Sequence, residues 1–147
     1  MKHEEFQTSL PTQSYIMTTI LEDVVKRGTG RRANARGIEL AGKTGTTNNN
    51  IDAWFAGYSP TVETVVWFGN DDNTPMYHRE TGGRVSGPAF RKFYQQLLKL
   101  YPQIKRKFDV PEGIIEVQID GKKEYFSNIS KPPRLEEESD PEGELLF

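Results

Sequence analysis

Gly37-Ile38-Glu39-Leu40-Ala41-Gly42-Lys43-Thr44-Gly45-Thr46-Thr47 admits two incompatible readings, and the choice between them decides the fold. Letter by letter, Gly37, four residues and then Gly42-Lys43-Thr44 satisfy the phosphate-loop pattern G-x-x-x-x-G-K-[ST]. That mechanism needs exposed backbone N–H groups leading at once into a helix whose N-terminus faces the phosphates. Ile38-Glu39-Leu40-Ala41 looks like strand, and Gly45-Thr46-Thr47-Asn48-Asn49-Asn50 is among the poorest helix-forming runs in the chain. Arg31 to Arg36, which precede Gly37, are not a buried strand either. The stretch therefore reads as an extended strand ending in an Asn turn, and a nucleotide-binding module is the alternative.

The neighbours extend this into a sheet. Asn48-Asn49-Asn50 marks a turn because Asn tolerates positive φ. A second strand is expected over Asp52–Tyr58 and a third near Thr64–Phe68, with Ser59-Pro60-Thr61 turning between them. Connections this short favour antiparallel pairing, since a parallel crossover needs about a dozen residues or more. Upstream, Ile16, Ile20 and Val24, with Met17, Leu21 and Val25 beside them, give a helical stripe over about 12–27. Ser9 or Thr12 is its expected cap near Pro11, and Gly28 its stop. Downstream, beyond a polar connection (Asp71 to Arg84), a second helix is expected over Ser86–Tyr101, begun by Pro88 and ended by Pro102. It would bury Phe90, Phe93, Tyr94, Leu97, Leu98 and Tyr101. The fold class is α+β: a three-stranded antiparallel sheet flanked by N- and C-terminal helices. Trp54 and Trp67 are expected in the core, as strand aromatics usually are. Gly28-Thr29-Gly30-Arg31-Arg32 reads as a solvated basic turn, with an anion site as its alternative.

At 147 residues the chain has the length of one domain. Eight Phe, six Tyr and two Trp supply core material that a disordered chain lacks. A net charge of −2 gives no basic field for nucleic acid, and the absence of Cys excludes disulfides, thiol catalysis and cysteine-ligated metal. His3 and His78 are far apart and suggest no zinc site; Asp71-Asp72-Asn73 lacks the Gly and Glu of a calcium loop. No cofactor is implied. Ile114–Ile119 and Lys123–Phe126 flank Asp120-Gly121, a two-residue hairpin turn. Residues 132–147 carry six acids against Arg134, a local charge of −5, and read as a disordered tail; a non-catalytic interaction domain that binds a partner through the hairpin and this tail is a further alternative function. The expected parsing is a leader at 1–9, the α+β portion at 10–101, a hairpin extension at 102–131 and the acidic tail at 132–147.

On a sheet edge, Gly45 would let a substrate backbone approach closely, while the Thr44 and Thr46 hydroxyls donate to a carboxylate at about 1.5–3 kcal/mol each. Lys43 adds a positive charge and three donors. An isolated Lys-Thr-Gly is equally an ordinary edge strand, but its context is specific. Ala41-Gly42-Lys43-Thr44-Gly45-Thr46-Thr47-Asn48, Asp52-Ala53-Trp54-Phe55 and Gly57-Tyr58-Ser59-Pro60 closely resemble the transpeptidase domain of class A penicillin-binding proteins. So do Ser14-Tyr15-Ile16-Met17, Arg27-Gly28-Thr29-Gly30, Val66-Trp67-Phe68-Gly69-Asn70-Asp71-Asp72 and Gly82-Gly83, in order over about residues 10 to 101.

The resemblance implies a β-lactamase/transpeptidase-like fold and a D,D-transpeptidase that cross-links peptidoglycan stem peptides through a serine acyl-enzyme. Its partners would be D-Ala-D-Ala stem peptides and β-lactams, and its location the extracytoplasmic cell envelope. By the same carry-over Lys43 and Thr46 are catalytic, with the Thr46 N–H in the oxyanion hole; one such donor is worth roughly 10²–10³ in rate. Thr44, Gly45, Thr46 and Thr47 would bind substrate. The family's nucleophile lies in Ser-x-x-Lys, with Ser-x-Asn beyond it, both ahead of the Lys-Thr-Gly strand. None of Ser9, Ser14, Ser59, Ser86, Ser127, Ser130 and Ser139 fits either pattern. The chain is thus expected to be the C-terminal part of such a domain, inactive alone, with exposed apolar surface and a tendency to self-associate.

Overall fold

A computed structural model describes residues 7–132. Most of the leader expected at 1–9, and the acidic tail apart from Pro132, lie outside the described residues. The chain divides into two compact units, at Glu112 and Gly113.

In the first unit, β1 (Ala41–Thr46), β2 (Asp52–Tyr58) and β3 (Glu63–Gly69) form one antiparallel sheet in the order β1-β2-β3. The register pairs Lys43 with Ala56, Thr44 with Phe55 and Gly45 with Trp54, and then Trp54 with Trp67. Asn49 and Asn50, at φ 63° and 57°, make the tight turn from β1 into β2 that the Asn run called for. Ahead of β1, Ile38 and Leu40 are buried in the core. The strand is followed by a single 3-10 turn at Asn48–Asn50 and then by β2. A phosphate loop requires solvated amides and a following α-helix, so that alternative is overturned.

Two helices cover one face of the sheet: α1 (Pro11–Lys26) lies against β1, and α2 (Ser86–Leu100) against β2 and β3. Period-two alternation turns Ala53 and Phe55 inward, where Phe55 meets Phe90 with ring centroids 4.6 Å apart and Phe90 meets Tyr94 at 4.7 Å. Val25, Ala33, Ala35, Ile38 and Leu40 complete this core. Segment 102–112 belongs to the same unit. The Glu39 N–H donates to the Arg106 carbonyl at 2.8 Å, the Phe108 N–H to Glu39 Oε2 at 2.7 Å, and Phe108 packs edge-on against Tyr58.

Four side-chain expectations are corrected. The helix α1 has no side-chain cap: Leu10 occupies the cap position, Thr12 lies inside the helix, and the Ser9 hydroxyl bonds that of Ser14 at 2.6 Å. Pro11 at the first helical position removes one orphan N–H. The buried face of α1 is Thr18, Glu22 and Val25, while Met17 and Ile20 are each 54% exposed. The helix is rotated toward the Thr18 hydroxyl, which lies 2.9 Å from Tyr58 Oη. In α2, Phe90 and Tyr94 are buried and Leu97 and Leu98 pack beside them, but Phe93 is exposed on the flank of that stripe and Tyr101 is exposed past the last helical residue, Leu100. Trp54 and Trp67 stand on the face opposite the helices, 42% and 43% exposed. They pack on each other, and Trp67 Nε1 donates to Asp52 Oδ1 at 2.8 Å.

The second unit is a hairpin, β4 (Ile115–Ile119) and β5 (Lys122–Phe126). Asp120 and Gly121 have φ of 49° and 74°, the two positive values that a type I′ turn demands. Lys123 pairs with Glu116 across the strands at 2.6 Å, which raises the Lys123 pKa.

Candidate functional site

Strand β1 is the edge of its sheet, so among the described residues its outer backbone groups have no strand partner. Alternation along it separates the candidate residues. Thr44 sits opposite Phe55 and so shares the helix-covered face with Thr46, whereas Lys43 and Gly45 sit opposite Ala56 and Trp54 on the tryptophan face. Lys43 is exposed; its Nζ donates to the Thr44 carbonyl at 3.0 Å and forms no ion pair with a described residue. A Cβ on Gly45 would lie 3.3 Å from the Trp54 Cβ, so its missing side chain leaves room for Trp54.

The threonines are held by two loops that the sequence alone did not bring to the strand. Thr44 Oγ1 lies 3.0 Å from Thr29 Oγ1 in the loop after α1. Thr46 Oγ1 accepts the Gly82 N–H at 3.2 Å, from the connection before α2. Gly82 is pressed onto the rung formed by Gly45 and Trp54: a Cβ there would meet the Trp54 carbonyl oxygen at 2.2 Å and that of Gly45 at 2.6 Å. Thr47 Oγ1 accepts the Asp52 N–H at 2.8 Å and so closes the turn from β1 to β2.

These loops and the strand enclose an open cavity of about 650 Å³. Thr29, Thr44, Thr46 and Thr81 line it with Arg31, Arg32 and Arg84, and Gly83 and the Arg27-Gly28 pair complete the wall. The Gly28–Arg32 turn is therefore part of the candidate site and not a detached solvated loop. Thr81 and Arg84 were missed, since nothing in their spacing marks them; the Gly82-Gly83 pair between them was the available signal. Among the described residues, no serine lines the cavity. The hydroxyl of Ser86, the serine of the Gly83–Gly87 stretch, is buried and donates to the Ala53 carbonyl at 2.7 Å. Farther along the connection, the Thr74 hydroxyl and N–H bond Asp72 Oδ1 at 2.7 and 3.1 Å, which holds the Asp72 carboxyl below its ordinary pKa.

The extended Lys43–Thr46 segment on an open sheet edge is as expected from the sequence; the loops that flank it were not foreseen. A sequence model described as the penicillin binding protein transpeptidase domain matches residues 3–95. The chain belongs to the penicillin-binding protein transpeptidase family. It is 41% identical over 138 residues to penicillin-binding protein 1A of Pseudomonas aeruginosa, covering 84% of this chain and 16% of that protein. To penicillin-binding protein 1A of Neisseria lactamica it is 40% identical over 117 residues, covering 79% and 14%. A crystal structure of penicillin-binding protein 1A from Haemophilus influenzae superposes with a TM-score of 0.70 at 27% identity, over 84% of this chain and 21% of that one. This transpeptidase-family chain thus spans less than a quarter of the relatives it matches, and its α+β sheet is the transpeptidase fold.

Proposed function

We propose that these residues supply the carboxylate-recognition and oxyanion part of a peptidoglycan D,D-transpeptidase, working with a Ser-x-x-Lys nucleophile and a Ser-x-Asn motif that this sequence does not contain. The observation that carries the reading is the extended Lys43–Thr46 segment on an open sheet edge, with Thr44 and Thr46 beside a 650 Å³ cavity. A stem peptide ending in D-Ala-D-Ala, or a β-lactam resembling it, lies along this edge and pairs its backbone with β1. The Thr44 and Thr46 hydroxyls donate to its terminal carboxylate, and the Thr46 N–H stabilises the oxyanion as the serine attacks. Lys43, on the other face, holds its charge near the proton-relay hydroxyl. Gly45 keeps the strand flat beneath the substrate, and Thr47 fixes the end of the strand through Asp52.

In this reading the working location is the extracytoplasmic face of the bacterial cell envelope. Residues 10–101 are the transpeptidase portion, 102–131 an extension and 132–147 an acidic tail. The 147 residues alone do not acylate, and their exposed Met17, Ile20, Trp54 and Trp67 drive self-association.

Labelled penicillin tests the assignment. A longer protein in which this sequence follows a Ser-x-x-Lys segment becomes covalently labelled, and the 147-residue chain does not. Thr46→Val in the longer protein lowers the acylation rate at least about tenfold. A longer protein that stays unlabelled, or a Thr46→Val variant acylated at the parental rate, sinks the proposal.

A further inference from the structure

The charge that meets an anion at Thr44 and Thr46 has to come from their own side of the strand. Lys43 is the expected source, yet alternation puts it on the opposite face, with its ammonium on the Thr44 carbonyl. On the threonine side, two separate segments converge on the cavity, one carrying Arg31 and Arg32 and the other Arg84 to its wall. Their approach is enforced by close packing: a Cβ on Gly83 would lie 2.5 Å from the Thr29 carbonyl oxygen, so only glycine lets the loops touch.

Among the described residues, none of these three arginines has an ion pair or a side-chain hydrogen bond, whereas neighbouring Arg27 is paired with Asp23. Among the described residues, no Asp or Glu lines the cavity. In a chain of net charge −2, three uncompensated guanidinium groups around one concavity are a local field of opposite sign to the whole. The hydroxyls cannot do the same work. The bond between Thr44 and Thr29 uses one of their two hydroxyl protons, which leaves that pair one to donate, and Thr46, accepting from Gly82, has its own proton to donate. A carboxylate offers about four lone-pair sites, and forked guanidinium donors are suited to those that two hydroxyls leave open.

We propose that Arg31, Arg32 and Arg84 are the charge-recognising residues of this site, binding and steering the terminal carboxylate of a peptide whose backbone lies on β1. The inference rests on the carboxylate-recognition reading above and gives it residues outside the Lys-Thr-Gly strand. Because the three arginines are exposed, attraction through the cavity is salt-sensitive and acts before contact.

The test is an amide-detected NMR titration of the 147-residue chain with Nα-acetyl-D-Ala-D-Ala and with its C-terminal amide. The acid shifts the resonances of Thr29, Thr44, Thr46 and Gly83, and the amide binds at least about tenfold more weakly. The exposed triple change Arg31→Gln, Arg32→Gln, Arg84→Gln weakens the acid about tenfold or more and flattens its salt dependence. Arg84→Gln alone gives a smaller loss, and Arg91→Gln, an exposed cation of α2 outside the cavity wall, stays within about twofold of the parent. A triple variant that binds the acid like the parent overturns the inference. If Thr44→Val still weakens binding in that case, the carboxylate-recognition reading survives without the arginines. A well-dispersed parent spectrum that the acid does not shift overturns both.

Discussion

Gly82→Ala is the most exacting test of how the cavity is built. The new methyl would sit 2.2 Å from the Trp54 carbonyl oxygen and 2.6 Å from that of Gly45, both backbone atoms locked in the ladder between β1 and β2. Neither can swing aside as a side-chain tip would, so the 81–84 loop must lift by about 1 Å. Lifting it breaks the Gly82 N–H bond to Thr46 and strains the Gly87 N–H bond to the Gly82 carbonyl, which is 2.9 Å and sits at the start of α2. Overpacking of about 1–3 kcal/mol and two hydrogen bonds at about 0.5–1.5 kcal/mol each give a loss of roughly 2–6 kcal/mol. The entropic gain from replacing Gly, at most about 1 kcal/mol, does not offset this.

Gly37→Ala is the matching control. Gly37 has a φ of +89° but only ordinary contact, 3.5 Å to Arg106, so its cost is conformational, about 1–2 kcal/mol. Backbone angles alone rank Gly37 as the more sensitive position; the packing described here ranks Gly82 first. Urea unfolding of both variants, with the Thr46 amide shift as a local probe, decides the order. A Gly82→Ala protein within about 0.5 kcal/mol of the parent, with Thr46 unmoved, would refute the placement of the loop.

Phe90→Ala, at the centre of the Phe55–Phe90–Tyr94 stack, is expected to cost about 3–5 kcal/mol and to abolish a cooperative urea transition. Burial raises the pKa of Glu22 against the opposing Lys26 contact at 3.1 Å, so the folded chain holds this proton more tightly than the unfolded chain. Stability from this group is therefore full below its ordinary 4.5 and falls as pH rises toward the raised value; Glu22→Gln should flatten that fall in melts recorded from pH 4 to 7. Met17→Glu combined with Ile20→Lys should shift the 147-residue chain toward monomer in sedimentation, because those side chains are exposed and apolar. Trp67→Phe removes the Asp52 bond and should cost less than about 1.5 kcal/mol, measured by urea melt.

The strands were legible because the signals are local. Alternation in Asp52–Tyr58, the Asn run before it and Asp120-Gly121 are each read by nearest neighbours, and each appears in the structure as expected. Which apolar residues are buried was less legible, since burial depends on which face of each element meets a covering surface. Met17 and Ile20 flank the Thr18–Glu22–Val25 face that α1 buries, Phe93 flanks the Phe90–Tyr94 face of α2, Tyr101 lies past the end of that helix, and Trp54 and Trp67 occupy a face that no described helix covers. The Lys43–Thr46 strand announced itself by its motif. The placement of Thr29 and Gly82 against that strand was not legible, because it depends on contacts spanning 15 and 36 positions that no local pattern encodes.

The period of a strand also limits how three adjacent motif residues can share the work. A ligand bound along the edge of β1 uses the backbone for affinity and can present its carboxylate to only one face of the pleat. Thr44 and Thr46 define that face, and the loops carrying Thr29 and Gly82 reinforce it. Under the proposed function, Lys43, directed to the other side, would then be free to act on a different atom of the reaction, next to the nucleophile and its proton and away from the terminal anion. Lys-Thr-Gly would thus be the point where two half-sites meet, one for charge recognition and one for bond breaking, with a single strand keeping them in register. A substitution at Lys43 should then depress the acylation rate of a longer protein without weakening its hold on the carboxylate, and one at Arg84 should do the reverse.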